Sequence, residues 1–203
     1  MADVIDSRSK DSKELMMHFK QLVVRIRRKH RGKFLSPLTI TLGDEFQGIV
    51  KTFEIAVDII FSIEEELIKM GKDIKLRYIV EYGSIETNIN SRVAYEMLGK
   101  GLTDAREHLN ASKKDKEVRV VIFLKDDAYS KAMEKLFFVL TSIYDKWKLN
   151  DYYLIEAFLE FKSYLMVSKA LSINRSQVWK RQKTLMIKEY FALKESIQYF
   201  IQK

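Results

Sequence analysis

Apolar positions in this chain keep two different periods, and the place where one gives way to the other divides it. Leu15, Phe19, Leu22 and Ile26 recur at steps of four and three, so about Ser12 to Arg31 reads as an amphipathic helix that Gly32 stops. Leu38 to Leu42 and Phe46 to Val50 then read as the two strands of a hairpin, with Asp44 and Glu45 at its tip. Pro37, the only proline, opens the first of these strands, where a missing N–H is tolerated. Phe53, Ala56, Val57, Ile60, Phe61, Glu64 and Leu67 give a second helix, closed by Gly71, whose outer face is expected to be the acidic Glu64, Glu65 and Glu66. Between Lys75 and Gly83, Leu76, Tyr78 and Val80 alternate against Arg77, Ile79 and Glu81, which is a strand pattern. After an irregular stretch from Ser84 to Tyr95, Gly99-Lys100-Gly101 caps a helix from about Thr103 to Ser112, and Val118 to Leu124 is a strongly apolar strand.

With a first strand at Ala2 to Ile5, the order is strand, helix, strand, strand, helix, strand, helix, strand. This is a ferredoxin-like order with one strand added, and it gives parallel neighbours the helical crossover they need. The first strand is short for such a sheet: either residues precede Met1, or Ala2 to Ile5 alone make it. From Ala128 onward strand signals vanish, and Leu136, Phe137, Leu140, Ile143, Tyr144 and Trp147 begin a helical remainder. The expected class is α+β, with a ferredoxin-like, nucleotide-cyclase-like sheet bearing helices on one face (residues 1–125) and an all-α domain (residues 126–203).

Composition narrows this picture without changing it. A hydrophobic fraction of 47% belongs to a folded chain rather than a disordered one. The absence of cysteine rules out disulfides, thiolate zinc sites and a cysteine nucleophile, and fits a reducing compartment. No apolar run approaches the roughly 18 to 20 residues that cross a bilayer, and the start lacks a signal-peptide pattern, so a cytoplasmic location without a membrane partner is expected.

The formal net charge of +8 points to a polyanionic partner, and its placement says more than its size. Lys162, Lys169, Arg175, Lys180, Arg181, Lys183 and Lys188 are interrupted by no Asp or Glu. A second acid-free run, Lys20, Arg25, Arg27, Arg28, Lys29, Arg31 and Lys33, reads as the solvated face of the first helix. Within the first run, Val167-Ser168-Lys169-Ala170-Leu171-Ser172-Ile173-Asn174-Arg175-Ser176-Gln177-Val178-Trp179-Lys180-Arg181 looks like a DNA-binding helix-turn-helix spanning about 163–183. Val167, Leu171, Ile173 and Val178 would hold two short helices together, with Asn174 as N-cap of the second. Such a helix enters the major groove by its N-terminal residues, which aims Arg175, Ser176, Gln177 and Lys180 at base edges and leaves Lys169, Arg181 and Lys183 for phosphates. Ser172 stands where a turn of this kind usually has glycine.

The acids carry the other candidate chemistry. Asp3, on the first strand, and Asp44, on the hairpin, come together if those strands are neighbours, and two carboxylates so placed suit Mg²⁺ or Mn²⁺. Asp6 would add a ligand or cap the next helix, and strand alternation is expected to turn Glu45 away. The three histidines, His18, His30 and His108, have no metal-ligand spacing and read as surface or hydrogen-bonded groups. No nucleophile elbow or Walker-type loop is present.

Ala2-Asp3-Val4-Ile5-Asp6-Ser7-Arg8, Leu42-Gly43-Asp44-Glu45-Phe46-Gln47-Gly48 and the basic helix-turn-helix together resemble the SatD family of bacterial proteins, over nearly the whole chain. More distantly, the first domain resembles class III nucleotide cyclases and the diguanylate cyclase domain. That resemblance implies a bound nucleotide, with Asp3 and Asp44 as ligands of a divalent cation and Gly43 as the turn that admits phosphate. Ile40, Thr103 and Glu107 depart from the cyclase pattern at the purine-reading Lys, the later Asn and the transition-state Arg, and a Glu cannot neutralise developing phosphate charge. The expectation is therefore a DNA-binding transcription regulator, acting as a homodimer, with a degenerate cyclase-like domain that binds without turnover. The alternative is a metal-dependent enzyme acting on a nucleotide or nucleic acid.

Overall fold

The computed structural model describes residues 1–7, 11–115 and 117–202. Arg8, the last residue of the opening motif, lies outside the described residues. The protein mixes helices with one five-stranded sheet, in keeping with the α+β class. It divides into two compact units, Met1–Ile63 with Ile74–Lys135, and Glu64–Asp73 with Leu136–Lys203.

The first unit holds the sheet, built from β1 (Ala2–Val4), β2 (Phe34–Ile40), β3 (Glu45–Val50), β4 (Leu76–Glu81) and β5 (Val120–Phe123) in the order β2-β3-β1-β4-β5. Every neighbouring pair is antiparallel except β4 and β5, whose parallel pairing follows from the crossover through α3 (Lys100–Ser112). Pairing Ala2 with both Phe46 and Tyr78 places three apolar side chains on one face at the sheet's centre. Helix α1 (Ser12–Lys29) packs there through Phe19, whose ring centroid is 5.5 Å from that of Phe46. The N-cap of α1 is Asp11, whose carboxylate accepts the Glu14 N–H at 2.8 Å, so the capping role expected of Asp6 belongs to Asp11.

α3 packs on the opposite face, so the expectation of helices on one face alone is overturned: the crossover from β4 to its parallel neighbour β5 runs on the side away from α1. The buried Ala105 and Leu109 of α3 meet Ile79, with Met1, Val121 and Phe123 around them. Gly83, just past β4, and Gly101, in the first turn of α3, touch so closely that a Cβ on either would collide with the other's backbone. This contact seats the start of α3 against the sheet and fixes which of its side chains reach the strands. The segment between β4 and α3 has no regular structure, as its pattern suggests. It is held by side chains instead: Ala94 N–H donates to Thr39 Oγ1 at 2.9 Å and Tyr95 hydroxyl to the Ile40 carbonyl at 2.5 Å.

The second unit is helical. It contains the ends of α2 (Phe53–Lys69) and α4 (Asp127–Tyr144), then α5 (Tyr152–Phe161), α6 (Tyr164–Leu171), α7 (Arg175–Thr184) and α8 (Ile187–Ile201). Tyr144, Trp147 and Tyr190 pack ring against ring at its core, and Trp147 Nε1 donates to the Leu185 carbonyl at 2.8 Å. The acidic outer face expected at Glu64 to Glu66 does not exist: Glu64 is buried, and Glu65 accepts the Tyr190 hydroxyl at 2.7 Å and pairs with Lys194. Among the described residues no helix is long and apolar enough to cross a membrane.

Candidate functional site

Strand register decides where the acids of the first unit go. In β1, Asp3 faces Glu45 of β3 on one side and Arg77 of β4 on the other, so three charged side chains form a row across the centre of the sheet, on the face that α3 covers. The row is buried; Asp3 and Arg77 are each only 4% exposed. Arg77 Nη1 lies 3.3 Å from both carboxylate oxygens of Asp3. Two further cations come from α3, where Arg106, Leu109 and Lys113 follow one another at helical spacing. Arg106 pairs with Glu45, and Lys113 Nζ stands 3.2 Å from Glu45 Oε1 and 3.5 Å from Asp3 Oδ2. Burial nonetheless raises the Asp3 pKa above the ordinary carboxylate value, with Glu45 adding to the rise and Arg77 and Lys113 opposing it. Among the described residues, Arg77 Nε has no hydrogen-bond partner.

Asp3 is thus joined to Glu45, Arg77 and Lys113. Asp44 precedes β3 in the turn formed by Gly43, whose φ is 62°, and it accepts the Ser7 hydroxyl at 2.5 Å. Asp6 sits in the left-handed region at φ 54°. The expectation that Glu45 turns away is overturned, since it shares the buried face of Asp3. A divalent cation does not fit this donor set. To reach the Asp3 carboxylate it would have to displace Arg77 and Lys113, and the displaced guanidinium would be left buried without a counter-charge. Among the described residues, no group of three or more His, Asp or Glu is placed to hold a metal ion.

Sequence reasoning overlooked the cations of this row. One signal was available: an arginine inside the otherwise apolar run Leu76 to Val80 needs a buried partner.

In the second unit, α6 and α7 are joined by Ser172, Ile173 and Asn174. Ser172 takes φ 54°, the left-handed value that ends α6, and the Ser168 hydroxyl closes the turn by donating to the Ile173 carbonyl at 2.6 Å. Asn174 Oδ1 accepts the Ser176 N–H at 2.9 Å and caps α7. Val167 and Val178 are fully buried between the helices, with Gln182 behind them. At 100° per residue, Ser176, Lys180 and Lys183 lie opposite the buried Val178 and Gln182. Arg175, Ser176, Gln177, Lys180 and Lys183 on α7 and Lys169 on α6 are all exposed. Arg181 is different: it pairs with Asp151, in the short 3-10 turn Leu149–Asp151.

The basic run of α1 is exposed apart from its interleaved apolar residues, and buried His30 next to it bonds Ser62 Oγ through Nε2 at 2.8 Å. His108 Nδ1 lies 2.9 Å from Glu81 Oε2, and its ring stacks on Phe123. These two histidines therefore have structural partners.

The model of the SatD family matches residues 1–201, and the chain belongs to that family. No curated protein and no solved structure matches it.

Proposed function

We propose that this SatD family chain is a cytoplasmic DNA-binding regulator of transcription that reads duplex DNA with α6 and α7 as a helix-turn-helix. The observation that carries the reading is the face of α7: a capped helix start presents Arg175, Ser176 and Gln177 to solvent with Lys180 behind them, and residues 162–188 contain no carboxylate to repel phosphate. Arg and Gln both make bidentate pairs with purine edges, so the first turn of α7 supplies base contacts while Lys169 and Lys183 supply phosphate contacts. Readers of this kind bind paired half-sites, so the regulator acts as a homodimer.

The strand order β2-β3-β1-β4, antiparallel throughout, supports a ferredoxin-like, cyclase-like ancestry for the first unit, with β5 as the added strand. The metal and nucleotide part of that ancestry has no support from the Asp3 row, whose charges already neutralise one another. The cation of the enzyme reading likewise draws no support from that row.

Selection of bound duplexes from a random-sequence pool by the full chain tests the proposal. Wild type is expected to enrich a shared motif, and Arg175→Ala with Gln177→Ala to lose the enrichment while its circular dichroism is unchanged. Equal enrichment by both proteins, or none by wild type, overturns the reading.

A further inference from the structure

Trp179 is the one large apolar side chain on α7 that the helix pair does not bury. It is 42% exposed, although Val178 beside it is buried. Its neighbours along the helix face, one turn away in each direction, are Arg175 and Lys183, and the Lys183 ammonium rests over the indole ring at 3.9 Å from its centroid. By helical geometry the ring lies some 60° from Ser176 on the side away from Gln177, at the flank of the outward face. A bulky indole held there by a cation, amid side chains suited to phosphate and base edges, keeps a large part of its apolar surface open to solvent.

We propose that Trp179 is a specificity-determining residue that packs on the C5-methyl group of thymine at the major-groove edge, with Lys183 steering the ring and contacting the adjacent phosphate. The inference rests on the DNA-binding reading of α7 and adds to it a preferred base. The thymine methyl is the only apolar group displayed in the major groove, and an apolar side chain reads it by burial rather than by hydrogen bonding. Burying one methyl group corresponds to about fourfold in affinity. Hydrogen-bonding Arg175 and Gln177 do not sense that methyl, so its effect isolates Trp179 from the rest of the interface.

The probes are a fluorescein-labelled alternating dA·dT duplex and its dA·dU counterpart, which differs only in lacking the thymine methyls. Anisotropy titrations of the full chain are expected to give about fourfold or more tighter binding to the dA·dT duplex. Trp179→Ala binds both duplexes equally, at about the affinity wild type shows for dA·dU, and Trp179→Phe keeps part of the preference. If wild type binds both duplexes with one affinity, or Trp179→Ala keeps the full preference, the thymine contact is refuted while DNA binding by α7 stands. Should wild type bind neither duplex, both readings fall together. Because Trp179 is exposed, the variants are expected to melt as wild type does; a melted Trp179→Ala leaves Trp179→Phe to decide by the size of its preference, with an undiminished wild-type ratio in a folded Trp179→Gln counting against the proposal.

Discussion

Arg77 Nη1 stands 3.3 Å from both carboxylate oxygens of Asp3, across the pairing of β1 with β4 and beneath α3. Removing one member of a buried pair leaves the other charged and uncompensated, which is more costly than the pair itself is stabilising. Asp3→Ala is therefore expected to cost about 3–5 kcal/mol in urea unfolding. Adding Arg77→Met to it should restore part of that loss. A cost of about 0.5 kcal/mol, the size of an ordinary surface change, would mean that Asp3 is not paired in solution.

Divalent cations give an independent view of the same row. With Asp3 held by Arg77 and Lys113, and Asp44 by the Ser7 hydroxyl, Mn²⁺ or Mg²⁺ should leave the melting temperature of the wild-type protein unchanged. A cation-dependent rise in that temperature, lost in Asp44→Asn, would place a metal at the hairpin after all.

His30 should make the fold sensitive to mild acid. Burial, then the charges of Lys33 and Lys29, lower its pKa from the ordinary histidine value of 6.5, and among the described residues its Nδ1 has no hydrogen-bond partner. The depressed folded value means that the unfolded chain takes up the proton first. The stability linked to His30 is complete above pH 6.5 and drains away as pH falls from there through the folded value, by at most about 1.4 kcal/mol per pH unit. His30→Gln, which can still bond Ser62, should flatten this part of a stability profile measured by denaturant unfolding. An unchanged slope would assign the acid sensitivity elsewhere.

Ser172 holds a left-handed backbone at φ 54° without being glycine. Ser172→Gly should relieve that strain and stabilise the second unit by roughly 0.5–1 kcal/mol, read from thermal unfolding followed by fluorescence of the buried Trp147. Destabilisation would show that the serine side chain contributes more than its backbone costs.

The sequence pattern located elements better than it located partners. α1, β3, α2 and β4 fall close to the spans their apolar patterns suggest, because each pattern reflects what its own residues bury, whereas β2 begins at Phe34, four residues before the expected Leu38, so that Pro37 lies inside the strand instead of opening it. The strong turn chemistry of Gly43-Asp44 marked the hairpin for the same local reason. Glu45 was misplaced because alternation was counted from Asp44, which lies in the turn ahead of β3 and not on the strand; its true phase is set by Asp3 on a strand 42 positions away. Glu65 was misread for a related reason. A run of three glutamates looks wet unless Tyr190 and Lys194, far along the chain, are known to meet it. The turn at Ser172, with Asn174 as N-cap, was legible because every contact that defines it lies within a few residues. Trp179 was quoted in that motif but carried no role, since only the packing of Val178 and Gln182 reveals which side of α7 is left open.

The proposed hold of α6 and α7 on duplex DNA depends on the cations of residues 162–188, among which no Asp or Glu stands, and the salt dependence of binding is its sharpest test. For the wild-type chain on a B-form duplex, log K should fall linearly with log salt. Lys169→Ala and Lys183→Ala together should make that slope shallower by up to about 1.8, at about 0.9 for each lost phosphate contact. A double variant that remains folded and keeps the wild-type affinity and slope would contradict that hold.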